Sequence, residues 1–371
     1  MIIERRSFLA LPGLSLAAMA ATPPRPAVQF TSDGLGLSPL ETSRLLASLA
    51  EQGKIASDSY SQKGSVEELE KRFAADLGKE RAVFFPTGTL ANHVAVRLLA
   101  RGRPKVLVQR ESHLYNDCGD CAQTLSALNL VPLADGKATF TLSEVEEVLE
   151  RAGSARVEAP VGAILIESPV RRKSGEMFDF DEMKRITAFA RQKGIGLHLD
   201  GARLYLAAGF SGIPPREYAA LFDTVYVSLY KYFNAPSGAI LAGPRQLLDS
   251  VFHMRRMFGG GLNQSWPFAA VALHYFEGFA ERYRRAVETS QRLFRMLEET
   301  GRFRVERIPN GSNIVLLRLV KGDRKSFVQN LSTKGVAVAA PPGLDACRLT
   351  INESVIRRSP EELAQAFVAA A

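Results

Sequence analysis

Residues 224–242 read TVYVSLYKYFNAPSGAILA. Two short apolar runs, around Val225 and Ile240, flank a loop of small residues with one proline, and Lys231 stands between them. A short apolar run closed by turn residues reads as a buried strand delivering its last residues to a sheet edge. An amine at that point has two readings. It can lay its stem along the rim and lift its charge into water. It can equally be placed to make a covalent bond.

The same pattern repeats outward from this stretch. Runs at 82–85, 106–109, 130–133, 163–167, 195–200, 224–229 and 239–242 read as strands, and 89–101, 143–152 and 179–193 as helices between them. Short apolar strands alternating with helices predict an α/β fold with a mostly parallel sheet covered on both faces. Towards the N-terminus, 28–40 is an extended arm. A helix with Leu45, Leu46 and Leu49 follows over 40–52, and Ser65-Val66-Glu67-Glu68 has the form of a capping box opening a helix that runs to Gly78. One long helical stretch is expected from about 267 to 300. Strands at 303–307, 313–319, 336–339 and 348–352, with helices at 323–334 and 360–370, predict a small C-terminal α+β domain. The expected division is a large domain over 27–270, carrying the arm, and a small one over 271–371.

At 371 residues, 46% hydrophobic and 23% charged, the chain has the make-up of an ordinary soluble globular protein with room for a full core. Its formal charge of +8 comes from lysines and arginines scattered among nearly as many acids. No basic cluster is interleaved with aromatics on which a single strand could stack, so no nucleic-acid partner is expected. The first residues, MIIERRSFLALPGLSLAAMAATPPRP, pair a charged start with a short apolar stretch broken by Pro12 and Gly13. That is too short and interrupted for a membrane span and fits an export signal over 1–20, with a linker to about 26. Arg5-Arg6 before Ser7-Phe8-Leu9 resembles a twin-arginine signal, although Glu4 stands where Ser or Thr is usual. The expected location is the periplasm or beyond it, or the cytoplasm if the signal does not function. Cys118 and Cys121 form a CxxC without a second pair, so no metal site is expected. A small disulfide, and two small buried residues in a loop or at a helix start, both remain open.

In folds of this kind ligands sit at the carboxyl ends of strands and at helix N-termini. Four loops follow predicted strands there. Pro86-Thr87-Gly88-Thr89, with Asn92 beyond it, suits an anion, because free N–H groups and the helix dipole converge on such a turn. His113 could stack on a planar ligand or be a structural histidine. Asp200-Gly201-Ala202-Arg203 can set a carboxylate and a guanidinium into one cleft. Ser228-Leu229-Tyr230-Lys231 is the fourth. No P-loop and no dinucleotide fingerprint is present.

Taken in order, these pieces resemble the low-specificity threonine aldolase and β-eliminating lyase family, pyridoxal-phosphate enzymes of the aspartate-aminotransferase fold (fold type I). HLDGARLYLA at 198–207 is followed by Ser228-x-x-Lys231 and then APSGAILAG at 235–243. TSD at 31–33, SDSYSQKGSVEELE at 57–70, PTGTLANHVA at 86–95, SH at 112–113, RRMFGGGLNQ at 255–264 and CRLTINES at 347–354 complete the series. The resemblance implies that Lys231 forms the Schiff base with the cofactor, pyridoxal 5′-phosphate. Asp200 would keep the ring nitrogen protonated, and Arg203 would meet the phenolic oxygen or the substrate carboxylate. His113 would stack on the ring and serve as base. Gly88, Thr89 and Ser228 would cradle the phosphate, with Arg256 reaching it from a neighbouring subunit. Ser32 and Arg348 would grip the α-carboxylate, where a planar guanidinium fork is the natural partner.

The implied activity is cleavage of the Cα–Cβ bond of L-β-hydroxy-α-amino acids to glycine and an aldehyde. β-Elimination on the same scaffold is the alternative, and a non-catalytic exported relative is a third reading. A homodimer or homotetramer with shared active sites follows from the same resemblance. The chain departs from the pattern on the side-chain end of the substrate. Glu167-Ser168-Pro169-Val170-Arg171 lacks the His usual after that Glu, Gly34-Leu35-Gly36 lacks the usual Thr and Arg, and 117–121 replaces an acid and paired glycines.

Overall fold

The computed structural model describes residues 28–371. The export signal expected over 1–20 lies outside the described residues. Among the described residues there are twelve strands: β1 (Val28–Phe30), β2 (Arg81–Phe85), β3 (Lys105–Gln109), β4 (Asn129–Leu133), β5 (Val161–Glu167), β6 (Gly196–Asp200), β7 (Thr224–Ser228), β8 (Ala239–Gly243), β9 (Phe303–Arg307), β10 (Ile314–Leu319), β11 (Val336–Val338) and β12 (Cys347–Thr350).

Seven of them form the large sheet in the order β2-β8-β7-β6-β5-β3-β4. All neighbours are parallel except β8, which runs antiparallel to both β2 and β7. The reason lies in the connection. A parallel return needs a crossover of a dozen or more residues, usually a helix. The chain from Ser228 to Ala239 is too short for one, so it turns back as a hairpin. Leu229 N–H donates to the Gly238 carbonyl and Ala235 N–H to the Leu229 carbonyl, both at 3.1 Å, closing the loop that carries Lys231.

β5, β6 and β7 are buried on both faces, which is why they read as near-continuous apolar runs. The helix Gly88–Ala100 crosses one face of β6 at close range. A Cβ at Gly196 would come within 2.7 Å of Leu99, and one at Gly162 on β5 within 2.6 Å of the Ala100 carbonyl. Glycine at these two positions lets the helix settle onto the sheet.

In the small domain β12-β10-β9 form an antiparallel sheet. The arm joins it: β1 pairs in parallel with β11, and Val28 and Phe30 are buried in the small core with Phe327 and Phe367. The long helical stretch expected over 267–300 is two helices, Trp266–Phe276 and Phe279–Glu299, separated at Glu277-Gly278, where Gly278 has φ 67°. The second helix packs Phe279 and Tyr283 into the large core and Leu293, Phe294 and Leu297 into the small one, so it couples the two.

The expected capping box at Ser65 does not form. The helix spans Gly64–Leu77 with Lys63 before it, and Ser65 Oγ accepts the Ala56 N–H at 3.0 Å instead. Glu67 pairs with Lys71 one turn on. A true capping box stands at Ser38 and Glu41, opening the helix Pro39–Glu51.

Candidate active site

A cavity of about 1050 Å³ opens at the carboxyl ends of β5, β6 and β7, between the large sheet, the arm and the small domain. Register explains what meets there. Glu167, Asp200 and Tyr226 are direct neighbours across three strands, each at or near its strand's last position. The cavity wall includes Gly88, Thr89, His113, Asp200, Arg203 and Lys231 from the large domain. Ser32 of the arm and Arg348 of β12 complete it.

Asp200 is buried and tightly held. Its Oδ2 accepts Asn92 Nδ2–H at 2.6 Å and its Oδ1 accepts the Ala202 N–H at 3.1 Å. Arg203 Nε donates to Asp33 Oδ2 at 2.9 Å, and Asn313 Nδ2 donates to Asp33 Oδ1 at 3.0 Å. Burial works against the Arg203 charge, but Asp33 and Glu167 outweigh it and hold the guanidinium above its ordinary pKa. Lys231 Nζ lies 3.1 Å from Tyr230 Oη and above that ring. Gly34 of the arm abuts the Lys231 carbonyl so closely that a Cβ would collide with it, and Asn234 Oδ1 accepts the Leu35 N–H at 2.6 Å. The arm therefore fixes the backbone that presents the lysine.

His113 begins the short helix His113–Asn116. Its main-chain N–H donates to Glu167 Oε2 at 2.5 Å, and Glu167 Oε1 accepts the Arg171 N–H at 2.8 Å. One buried carboxylate thus staples two walls of the cavity. Burial, with Asp200 adjoining, pushes Glu167 up to about 7. Burial likewise lowers the His113 pKa, only partly offset by Asp200 and Asp117. The ring is therefore neutral at pH 7 and able to accept a proton. Its Nδ1 lies 3.2 Å from Cys118 Sγ, which lies 3.7 Å from Thr89 Oγ1. Cys118 and Cys121 are free thiols.

Where the resemblance leads one to expect a His after Glu167, the chain has Arg171 and Arg172. Both guanidiniums bind Asp117, at 2.7 and 2.8 Å, and the hydrogen bonds from Arg172 and Arg171 hold that carboxyl down to about 2 despite its partial burial. Arg256, on the helix Val251–Met257, is not among the residues lining this cavity. Its guanidinium lies 4.4 Å from the Tyr60 ring centre. Ser228, expected at the phosphate, is buried at the end of β7 and is not among the residues lining the cavity.

Several contributors were not legible beforehand. Asp33, Glu167, Tyr226 and Tyr230 line the cavity without having been singled out for it. Asn92 carried a usable signal, since it lies four residues after Gly88 on the same helical face.

The residues suit a phosphate-bearing, nitrogen-heterocyclic aldehyde. Ser228 Oγ and Arg348 Nε are buried without a partner, as hydroxyl and guanidinium awaiting anions would be. A Cβ at Gly88 would strike the Tyr226 hydroxyl, so only glycine leaves that helix start open. The first N–H groups of a helix have no partner within it. Among the described residues no cluster of three or more His, Cys, Asp or Glu could hold a metal, and no helix is long and apolar enough to cross a membrane.

Fold and site together define an α/β enzyme of the aspartate-aminotransferase type, with a lysine on a hairpin and an aspartate at a strand end lining one cavity. The family described as β-eliminating lyase matches residues 40–319, and the chain belongs to that family. A low-specificity L-threonine aldolase of Saccharomyces cerevisiae is 31% identical over 55% of this chain, and the match spans 53% of that protein, about half its length. The Escherichia coli low-specificity L-threonine aldolase is 25% identical over 85% of this chain and 92% of its own. A Listeria monocytogenes structure assigned as an L-allo-threonine aldolase superposes with a TM-score of 0.75 at 26% identity, covering 93% of this chain and 96% of that one. A serine palmitoyltransferase solved with pyridoxal phosphate superposes with a TM-score of 0.67 at 18% identity, over 92% of this chain and 86% of that one, a likeness of fold alone. The family implies pyridoxal phosphate as cofactor.

Proposed function

We propose that this chain holds pyridoxal 5′-phosphate at Lys231 and cleaves the Cα–Cβ bond of L-β-hydroxy-α-amino acids, yielding glycine and an aldehyde. The observation that carries the reading is the convergence of Lys231, Asp200, His113 and Arg348 on one cavity from three distant parts of the chain. When bound, the cofactor supplies a conjugated electron sink for the pair left at Cα.

The residues divide the remaining work. Lys231 anchors the cofactor and is placed to exchange protons beside it. Gly88, Thr89 and Ser228 hold its phosphate. Asp200, held in place by Asn92 and the Ala202 N–H, would pair with the ring nitrogen and favour a proton on it. Arg348 and Ser32 bind the α-carboxylate. That contact would fix the orientation of the substrate's bonds at Cα, and so which bond breaks. His113, neutral and near the substrate end, takes the proton of the β-hydroxyl. Its Nδ1–H donates to Cys118 Sγ, which leaves Nε2 free to act.

The test is turnover by purified protein reconstituted with the cofactor. L-Threonine, L-phenylserine and an amino acid with a good β-leaving group are supplied in turn. Aldehyde and glycine in equal amounts support aldol cleavage. Ammonia and a keto acid from the third substrate alone would instead make the enzyme a β-eliminating lyase.

We also propose export through the twin-arginine signal and assembly into a homodimer or homotetramer in which Arg256 serves a neighbour's phosphate site. Support for the trans role is that Arg256 lies outside its own subunit's cavity. Cell fractionation tests the first proposal, and light scattering of wild type and Arg256→Ala tests the second. A monomeric wild type with full activity would overturn it.

A further inference from the structure

On the face of β6 covered by the helix Gly88–Ala100, His198 and Asp200 point the same way, two residues apart. His198 is paired directly with Thr224 of β7, and Asn92 projects from the helix between His198 and Asp200. The polar atoms form an unbroken chain. Thr224 Oγ1 lies 2.8 Å from His198 Nδ1, His198 Nε2 lies 2.9 Å from Asn92 Oδ1, and Asn92 Nδ2 lies 2.6 Å from Asp200 Oδ2. All four side chains are buried, with at most 2% of their surface exposed.

Chemistry gives this chain one direction. Asn92 offers its NH₂ to Asp200 Oδ2 and so turns its oxygen to His198. His198 must then donate from Nε2, and its Nδ1 must accept the hydroxyl proton of Thr224. Burial pushes the His198 pKa down to about 3, so the ring stays neutral and keeps one donor and one acceptor. Reversing any member would set two acceptors face to face in a buried place, at the cost of an unmade hydrogen bond.

We propose that His198 and Asn92 are positioning residues for the cofactor: anchored on Thr224, His198 fixes which way the amide of Asn92 is turned, and Asn92 in turn holds Asp200 in one rotamer, facing the ring nitrogen. Lys231, Arg203, His113 and Cys118 on the cavity side, Glu167 on β5 and Tyr226 on β7 are other titratable groups around Asp200. None of them is bonded to it among the described residues. The second carboxylate oxygen is held by a main-chain N–H, so the side-chain orientation rests on Asn92. This inference depends on the cavity being a pyridoxal-phosphate site.

The test uses full-length apoprotein titrated with pyridoxal 5′-phosphate, reading affinity and the induced circular dichroism of the bound ring. Far-ultraviolet dichroism and thermal melting verify folding. Asn92→Ala and His198→Phe are expected to weaken cofactor affinity by about tenfold or more, the worth of one charge-assisted hydrogen bond, and to diminish the induced band. His198→Gln, whose amide can donate to Asn92 and accept from Thr224, is expected to restore both to within about threefold of wild type. Folded Asn92→Ala protein with wild-type affinity and band would overturn the proposal. So would His198→Gln behaving like His198→Phe. A wild type that takes up no cofactor would instead overturn the underlying reading of the cavity.

Discussion

Arg203 Nε and Asp33 Oδ2 meet at 2.9 Å with both side chains nearly buried, so a residue of the arm closes an ion pair with a residue 170 positions away in the large domain. Asn313 of the small domain binds the other carboxylate oxygen of Asp33. Asp33 therefore joins three parts of the chain at the wall of the cavity. Removing one partner leaves a buried guanidinium without its counter-charge, which costs about 3–5 kcal/mol. Asp33→Ala is expected to lose stability on that scale in urea unfolding. Asp33→Asn, which keeps an acceptor for Arg203, is expected to lose less. Equal losses would mean that the retained acceptor contributes nothing and that the counter-charge carries the whole effect, whereas an Asp33→Asn protein as stable as wild type would mean that the charge contributes nothing.

Lys231→Ala is expected to bind the cofactor without covalent attachment, so the visible band of the attached form is lost. Turnover should fall by at least the factor of about 10²–10⁴ that a lost acid–base group brings. Absorbance spectra of reconstituted wild type and variant, at equal cofactor content, check this. A variant that keeps the band would place the attachment elsewhere.

Arg348 presents a buried, unpartnered Nε at the cavity. A hydrogen bond to a charged group is worth about 1.5–3 kcal/mol, so Arg348→Lys and Arg348→Ala should raise KM by about 10- to 100-fold. Cofactor affinity should be unchanged. Steady-state kinetics together with cofactor titration separates the two effects.

Cys118 accepts from His113 Nδ1 in the arrangement that leaves Nε2 free. Cys118→Ala removes that partner and should lower kcat by about fivefold, the equivalent of one hydrogen bond of about 1 kcal/mol. Cys118→Ser, which can still accept, should recover most of it. The rate on the acid side should persist below the ordinary histidine pKa, because burial lowers that of His113. A pH–rate profile that falls at or above pH 6.5 would remove His113 from the role of base.

Glu70 supports β2 by accepting the Phe84 N–H at 2.7 Å, and burial raises its pKa from 4.5 to about 7 against the pull of Arg255 and Arg81. The folded protein then binds a proton that the unfolded chain has released. Stability associated with Glu70 is fully present below pH 4.5 and is lost as pH rises towards 7. The slope reaches about 1.4 kcal/mol per pH unit where the proton difference is complete. Glu70→Gln keeps an acceptor without titrating, so its urea midpoints at pH 5, 6 and 7 should vary less than those of wild type.

The alternation of apolar runs and helices was enough to predict the sheet, because strands buried on both faces must be apolar throughout. Positions of Lys231, Asp200, Gly88 and His113 followed from the rule that loops at strand ends meet one another, and the cavity contains all four. Local chemistry was less decisive where tertiary partners compete. Ser65 has the sequence of a cap, yet its hydroxyl serves Ala56, since a neighbouring loop offers a nearer N–H. The long helix expected over 267–300 breaks at Gly278, where the chain must turn to reach both cores.

Sequence by itself determined the periodicity, the order of the elements and the types of reactive side chain, since these depend on neighbours along the chain. Only the tertiary structure decided which distant groups touch. Asp33 with Arg203, Asn92 with Asp200 and His198, and Asp117 with Arg171 and Arg172 are pairings of this kind. Each depends on an angle between packed elements and on a separation of about an ångström, and hydrogen bonds weaken steeply beyond that tolerance. The hairpin reversal of β8 belongs with them. It follows from a loop too short to cross the sheet, and it is what turns Lys231 towards the cavity.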